Sequence, residues 1–369
     1  MLELYRPFPH LLLQILLLEL HLPPNLYIFA RNLVLTPTPF GLCGPSDPVA
    51  LAALHCLLLL LLKATLEQVR SPYISSYAVL FSGGVDSTLL CAILHTVLPS
   101  HIVLELVNVT CVRGGTADVS PDRQTCLQSF NELCTILPDA QSRFRLVLVD
   151  ITFEDIVAHC ELVRQLIHPR NTIMDFNIGC ILYFASRGIG VLYGTDQSYT
   201  VQSSILFTGT GADELFAGYT RHRMVFNKFQ SVSNSSACGV ADAYAALRDE
   251  LNRDRVRLWV RNLGRDDRVL GHFYRETRYI FLDEDIVHFT TCFALDTTTI
   301  LPTGHFIFPI QLLYDCTLPK GVGDKKLLRL LLTKFQLADV SRFSKRAMQF
   351  GTRIAISSVP GTRVLPSHV

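Results

Sequence analysis

The sequence predicts an α/β protein built on a doubly wound parallel sheet, and three observations carry that prediction. Short apolar runs alternate with helical stretches between residues 77 and 207, the arrangement that βαβ units produce. The first run, Tyr77–Phe81, is apolar without alternation, as strands buried on both faces require. A Ser-Gly-Gly turn then joins the first run to the first helix, at the sheet edge where such folds bind ligands.

The elements follow in order. Residues 1–48 are rich in Leu and Pro, so regular structure there is expected to be short. Residues 49–70 predict a long apolar helix lying against a sheet. The strand at 77–81 leads to a helix over 86–97, and a strand at 102–109 leads to a helix near 122–136. A third strand, 144–149, is followed by helices over 152–166 and 175–187, then by the strand at 203–207. Beyond residue 220 strand signals fade. Amphipathic patterns at 239–263, 267–275, 283–291 and 323–336 predict a C-terminal helical layer, with 231–237 as a loop. The expected division is a stub over 1–48 and one domain over 49–369.

Composition narrows the class. The 369 residues carry a formal charge of +1, with 49% hydrophobic and 18% charged residues. That balance supplies no electrostatic footprint for a dedicated nucleic-acid binder, and it is too apolar for general disorder. The longest apolar run, Val49–Leu62, contains His55 and ends at Lys63, short of the roughly 20 residues a spanning helix needs. The cluster Leu11–Leu18 is broken by Gln14 and closed by Glu19, without a small-residue cleavage site. Neither is read as a membrane segment. Eleven cysteines without a Cys-x-x-Cys pair predict buried free thiols in a cytoplasmic protein.

Two loops carry the chemistry. In Ser82-Gly83-Gly84-Val85-Asp86-Ser87, the glycines let backbone amides approach an anion, and the helix N-terminus adds its free N–H groups. Ser82 and Ser87 add hydroxyls, while Asp86 suits Mg²⁺ bridging to phosphates. A plain serine-glycine turn with Asp86 as a cap would need less, but the strand before and helix after favour the anion site. The loop is neither a Walker A nor a dinucleotide turn. The second loop, Thr208-Gly-Thr-Gly-Ala-Asp-Glu214 followed by Gly218-Tyr219, comes after strand 203–207 and so faces the same edge. Asp213 offers a second carboxylate.

Together the loops resemble the pyrophosphate loop and partner loop of the asparagine synthetase C-terminal domain, an adenine-nucleotide α-hydrolase (ATP-pyrophosphatase) fold. Further matching stretches are Phe184-Ala-Ser-Arg-Gly-Ile-Gly190, Arg261-Asn-Leu-Gly-Arg-Asp-Asp-Arg268, Phe281-Leu-Asp-Glu284, Leu318-Pro-Lys-Gly-Val-Gly323 and Lys345-Arg-Ala-Met-Gln-Phe-Gly351. The resemblance runs in order over residues 49–356. It implies binding of ATP and Mg²⁺, attack of a carboxylate (aspartate) on the α-phosphate to give an acyl-adenylate, and displacement by ammonia. Position by position it implies a nucleotide site of Leu80, Ser82, Gly83, Gly84, Asp86, Ser87, Val109, Thr208 and Gly209. It further implies metal-holding carboxylates at Asp86 and Asp213, catalytic roles for Asp86, Asp213 and Lys345, and substrate contacts at Glu276 and Arg278.

Two departures qualify the resemblance. Glutamine-dependent synthetases carry a cysteine after the initiator Met, whereas residue 2 here is Leu, and a complete glutaminase domain does not fit before residue 49. No glutamine hydrolysis is therefore expected, with Asn25–Asn32 at most a remnant of such a domain. The family also has a glutamate between the second loop's glycines where this chain has Thr210, and a threonine is no base at neutral pH. The alternative to an ammonia-dependent amide synthase is therefore a non-catalytic relative keeping the pocket or only the scaffold. A tRNA thiolase or GMP synthetase explains neither 208–219 nor 345–351. Arg221-His222-Arg223 could reach phosphates or cap the surface, and the arginines of 261–268, interleaved with Asp266 and Asp267, read as an ion-paired face.

Overall fold

The structure, a computed structural model, describes residues 22–35, 48–69, 74–112, 120–232, 237–291, 293–294, 299–300 and 306–357. The cluster Leu11–Leu18 lies outside them. Seven strands form the main sheet: β1 (Ser76–Leu80), β2 (Val103–Cys111), β3 (Phe144–Ile151), β4 (Ile189–Leu192), β5 (Ser198–Thr200), β6 (Ile205–Phe207) and β7 (Glu276–Arg278). Their order is β5-β4-β3-β2-β1-β6-β7. From β3 to β7 every pairing is parallel. The fold is thus α/β with a mostly parallel sheet, of the ATP-pyrophosphatase type.

Two details of the main sheet depart from the sequence expectation, and a second, three-stranded sheet (Phe293–Ala294, Thr299–Ile300 and Phe306–Pro309) stands where only helices are expected. β4 and β5 are an antiparallel edge hairpin on β3, read from sequence only as the space between a helix and a strand. β7 extends the sheet beyond residue 220, where strand signals fade. Three residues on an edge are too few for a period of two to be visible.

The helices of eight residues or more are α1 (Pro24–Leu35), α2 (Pro48–Gln68), α3 (Val85–Val97), α4 (Pro121–Ile136), α5 (Phe153–Ile167), α6 (Ile173–Arg187), α7 (Thr220–Val232), α8 (Ala237–Leu258), α9 (Gly264–Gly271), α10 (Glu284–Thr291) and α11 (Lys326–Lys334). Local chemistry starts several of them. Ser120 caps α4 by accepting from Arg123 N–H, with Pro121 as its first residue. Thr152 and Asp155 form a capping box on α5. Of the loop expected at 231–237, residues 231–232 end α7 and 237 opens α8; the rest lies outside the described residues.

Strand alternation divides the core in two. Tyr77, Val79 and Phe81 face one layer with α2, α3 and α11, while Ala78, Val107 and Val149 face the other with α5, α6 and α9. The long apolar helix α2 packs mainly on other helices (α1, α3, α10 and α11). By length and composition its residues 50–68 could cross a membrane, yet Leu57, Leu58, Leu59, Leu61 and Leu62 are all fully covered by protein. α1 buries Leu26, Ala30 and Val34 at four-residue spacing in that same core, and Phe29 meets Phe335 with centroids 6.0 Å apart. Eight cysteines among the described residues are free thiols, six of them buried.

Candidate active site

The chain adds β2 and β3 on one side of β1 and returns to place β6 on the other. That reversal opens a crevice at the carboxyl ends of β1 and β6. The two loops meet there. Gly83 has φ +73°, and a Cβ on it would lie 2.5 Å from the Cys126 backbone, so only glycine lets this turn lie against α4. Ser129 Oγ donates to the Gly83 carbonyl at 2.5 Å. α3 starts directly after Gly84 with no side-chain cap, so its first-turn amides remain open to an anion. Asp86 stands in that first turn, and Ser82 Oγ and Ser87 Oγ lie 3.5 Å apart.

The second loop closes on the first. A Cβ on Gly209 would lie 2.9 Å from Asp86 Cβ. One on Gly218 would lie 1.9 Å from Asp213 Oδ1 and 2.4 Å from Lys325 Cε. These close approaches make room for a chain of charges. Lys325 Nζ is 2.5 Å from Asp86 Oδ2 and 2.6 Å from Asp213 Oδ1. Lys345 Nζ is 2.5 Å from Asp213 Oδ2. Lys325 is 2% exposed, sits at φ +53° just before α11, and donates its backbone N–H to the Phe216 carbonyl at 2.9 Å.

The electrostatics follow from that chain. Burial works to raise the Asp213 carboxyl, but Lys325 and Lys345 outweigh it and hold the group well below the usual carboxylate range. Burial likewise works to lower Lys345, and the Asp213 and Asp86 carboxylates lift it instead. Next to them burial, reinforced by Asp213, pushes the Glu214 carboxyl up; Tyr219 Oη donates to it at 2.7 Å. Asp86 Oδ1 is buried with no hydrogen-bond partner. It is the atom best suited to a cation. Among the described residues no group of three or more His, Cys, Asp or Glu could hold a metal, so a Mg²⁺ at Asp86 and Asp213 would complete its shell with phosphate oxygens and water. The donor set fits that ion.

These loops form one wall of a cavity of about 520 Å³, within the range of small-molecule sites. Leu80, Ile178, Leu182, Leu270 and Met348 give it an apolar side, while Arg170, Arg261, Asn262 and Arg265 line it elsewhere. An adjoining hollow of about 100 Å³ shares Ser82, Asp86 and Lys345 with it and adds Gly84, Lys325 and Arg346.

Most of the residues singled out from the sequence meet here. Leu80, Ser82, Asp86, Ser87, Thr208, Gly209, Asp213 and Lys345 line the main cavity, Gly84 lines the smaller one, and Gly83 supports the loop from behind. Three do not meet there. Val109 is 4% exposed, packed in the core layer that also carries the cavity's Leu182 and Leu270, and lines neither cavity. Glu276 and Arg278 pair with each other on β7, and Arg278 lines a separate hollow with Glu67, Gln68 and Asp283.

Lys325 is the residue sequence reasoning missed. It is one of three lysines between 320 and 326, and only its left-handed backbone distinguishes it. Arg221 lines the cavity but pairs with Glu250 and Asp254, His222 is buried against Asp254 at 2.8 Å, and Arg223 donates to the Cys316 and Leu318 carbonyls. Arg265 is ion-paired as expected, 2.8 Å from Asp175 and 2.7 Å from Asp266. That pairing also puts Arg265 and Asp266 on the cavity wall, which the sequence did not reveal.

A switch-point crevice with two glycine loops, a helix N-terminus and a lysine–carboxylate chain defines an ATP-pyrophosphatase-type domain. Residues 184–303 match the asparagine synthase family. It is similar to asparagine synthetase domain-containing protein 1. In Gallus gallus the identity is 33% over 326 residues, covering 77% of this chain and 46% of the relative. In Homo sapiens it is 32% over 326 residues, covering 76% and 45%. An asparagine synthetase domain-containing protein of Saccharomyces cerevisiae is 30% identical over 315 residues, covering 82% and 52%. The chain spans about half the length of the curated relatives it matches.

Proposed function

We propose that this chain binds ATP with Mg²⁺ in the crevice between the two loops and activates the carboxylate of a small acid, such as aspartate, for amidation by ammonia. The observation that carries the reading is the unbroken chain Asp86–Lys325–Asp213–Lys345 beneath the open amides of α3. It is arranged to neutralise phosphates without covalent help.

The parts divide the work. The α3 amides with Ser82 and Ser87 would hold the β- and γ-phosphates, and the apolar side at Leu80, Ile178 and Met348 would take the base. Asp86 and Asp213 would hold Mg²⁺, whose charge would offset that of the phosphates. In the first step an acceptor carboxylate oxygen bonds to the α-phosphorus, the bond to the β-phosphate oxygen breaks, and pyrophosphate leaves beside Lys325 and Lys345. In the second, ammonia bonds to the acyl carbon, AMP leaves, and the nitrogen loses a proton. Aligning these groups is where the protein contributes most. Free, mostly buried thiols suit the cytoplasm as the place of this activity.

A second reading keeps the nucleotide but not the amidation. Thr208 Oγ1 donates to Thr210 Oγ1 at 3.0 Å, so position 210 supports the loop and offers no base. The deciding experiment is pyrophosphate release from ATP with aspartate and ammonia, wild type against Asp86→Ala. Release that Asp86→Ala abolishes supports the synthase. Bound ATP without release supports the binder.

A further inference from the structure

Two helix faces of opposite charge stand open to solvent beside each other. α8 does not break at its end but widens into a π turn, Trp259–Leu263. It turns Leu247, Leu251, Asp254 and Leu258 inward. Its outer face shows Arg253, Val256, Arg257 and Val260, spaced as neighbours on one helical stripe. Val256 is 61% exposed, Val260 48% and the adjoining Trp259 69%. Apolar side chains gathered in the open, with tryptophan and arginine among them, mark an interaction surface.

The charge of this stripe is one-sided. Asp254 is the one acid from 252 to 263, and it is buried against Arg221 and His222. Arg253 shares Glu250 with Arg221 and keeps its side chain 57% exposed. Arg257 has no hydrogen bond or ion pair to any described residue.

α5 presents the complement. Glu154, Val157, Ala158 and Glu161 are exposed at the same spacing, while Ile156, Val163 and Ile167 face the core. No Lys or Arg occurs from 152 to 163. Glu154 has no ion pair to any described residue, and Glu161 reaches Arg164 only at 3.8 Å. The stripes adjoin, because Arg170, just beyond α5, donates from Nη2 to the Val260 carbonyl at 2.7 Å.

We propose that two copies of the chain meet on this surface, the arginine stripe of α8 in one copy lying on the acidic stripe of α5 in the other. Each copy carries both halves of the contact, so the pairing can close about a two-fold axis and cover both stripes at once. The valines and Trp259 then leave water, while Arg253 and Arg257 meet Glu154 and Glu161 around them. Arg170 also lines the main cavity, so the second copy stands beside it. Nothing in this contact depends on what the cavity binds.

The test is sedimentation velocity of the whole chain across micromolar concentrations, beside the emission of Trp259, the single tryptophan in the sequence. A dimer should form, its emission should move to shorter wavelength, and added salt should weaken it. Arg253→Glu with Arg257→Glu, and Glu154→Arg with Glu161→Arg, should each weaken the dimer by about tenfold or more, with circular dichroism unchanged. Mixed in equal amounts, the two charge-reversed proteins should dimerise again, because each offers the stripe the other needs. A chain that stays monomeric at every concentration, a dimer that either pair of reversals leaves intact, or a mixture that fails to recover it would each overturn the proposal. A monomer whose Trp259 emission shifts with a helical Glu/Leu peptide would also overturn it, giving the α8 stripe to another acidic protein.

Discussion

Lys325 Nζ lies 2.5 Å from Asp86 Oδ2, although the two residues are 239 positions apart in the chain. The contact ties the start of α3 to the start of α11, and it does so at the point where the two glycine loops converge. Lys325 also reaches Asp213 at 2.6 Å, so one buried ammonium contacts both carboxylates. Lys345 on Asp213 supplies the second positive charge, so two ammonium groups offset the two carboxylates.

Removing Lys325 should be costly. Lys325→Met leaves Asp86 without its cationic partner and Asp213 with Lys345 alone, and breaking a buried pair in this way costs about 3–5 kcal/mol. Urea unfolding at pH 7 should show a loss of that size. Lys345→Ala removes a half-buried lysine and should cost no more than about 1.5 kcal/mol, while weakening ATP at least as much as it weakens the fold.

The glycines of the second loop can be tested by adding one carbon. Gly218→Ala places a methyl 1.9 Å from Asp213 Oδ1 and 2.4 Å from Lys325 Cε. Gly209→Ala places one 2.9 Å from Asp86 Cβ. Gly218→Ala should weaken MgATP tenfold or more and Gly209→Ala by less, measured by titration of protein whose circular dichroism is unchanged.

Acid and neutral pH should act in opposite directions on different carboxyls. Burial pushes Asp122 and Asp266 up, each from 3.8 to about 6. Between those values the folded chain holds protons that the unfolded chain has released, so each group makes stability fall as pH rises from 4 to 6. Asp213 is held low by Lys325 and Lys345, so its contribution is present above about pH 4 and is lost as pH falls further. Urea midpoints from pH 3 to 7 should show both limbs. Asp122→Asn should flatten the decline between pH 4 and 6, and an unaltered slope would count against its raised value.

Position 210 decides how far the chemistry goes. Thr210 lines the cavity and carries no base. Thr210→Glu should raise ammonia-dependent AMP formation at least tenfold over wild type, the scale of general-base assistance, with ATP affinity within threefold. Equal rates would mean that the missing carboxylate is not what limits turnover.

Much of this site was legible in the sequence because phosphate loops advertise themselves locally. Ser82–Ser87 and Thr208–Glu214 each follow an apolar strand, and the structure brings them to one edge. The parallel core strands were legible for the same reason: their apolar runs need no partner to be recognised. What stayed hidden depends on distant neighbours. Lys325 looks like any lysine beside Lys326 until Phe216 and Asp86 fix it. β7 is three residues long and becomes a strand only by lying on β6. The π turn at 259–263 is invisible in a pattern that reads as one helix over 239–263, since a single wider turn barely disturbs the period. Val109, Glu276 and Arg278 show the converse: a matched position in the sequence need not reach the cavity.

The most direct measurement is equilibrium titration of the folded chain with MgATP, wild type beside Asp86→Asn and Lys345→Ala. Wild type should saturate at one nucleotide per chain, with both variants weaker by tenfold or more and still folded by circular dichroism. A folded wild-type chain that binds no MgATP, or variants that bind it as tightly as wild type, would contradict a nucleotide site at the junction of the two loops.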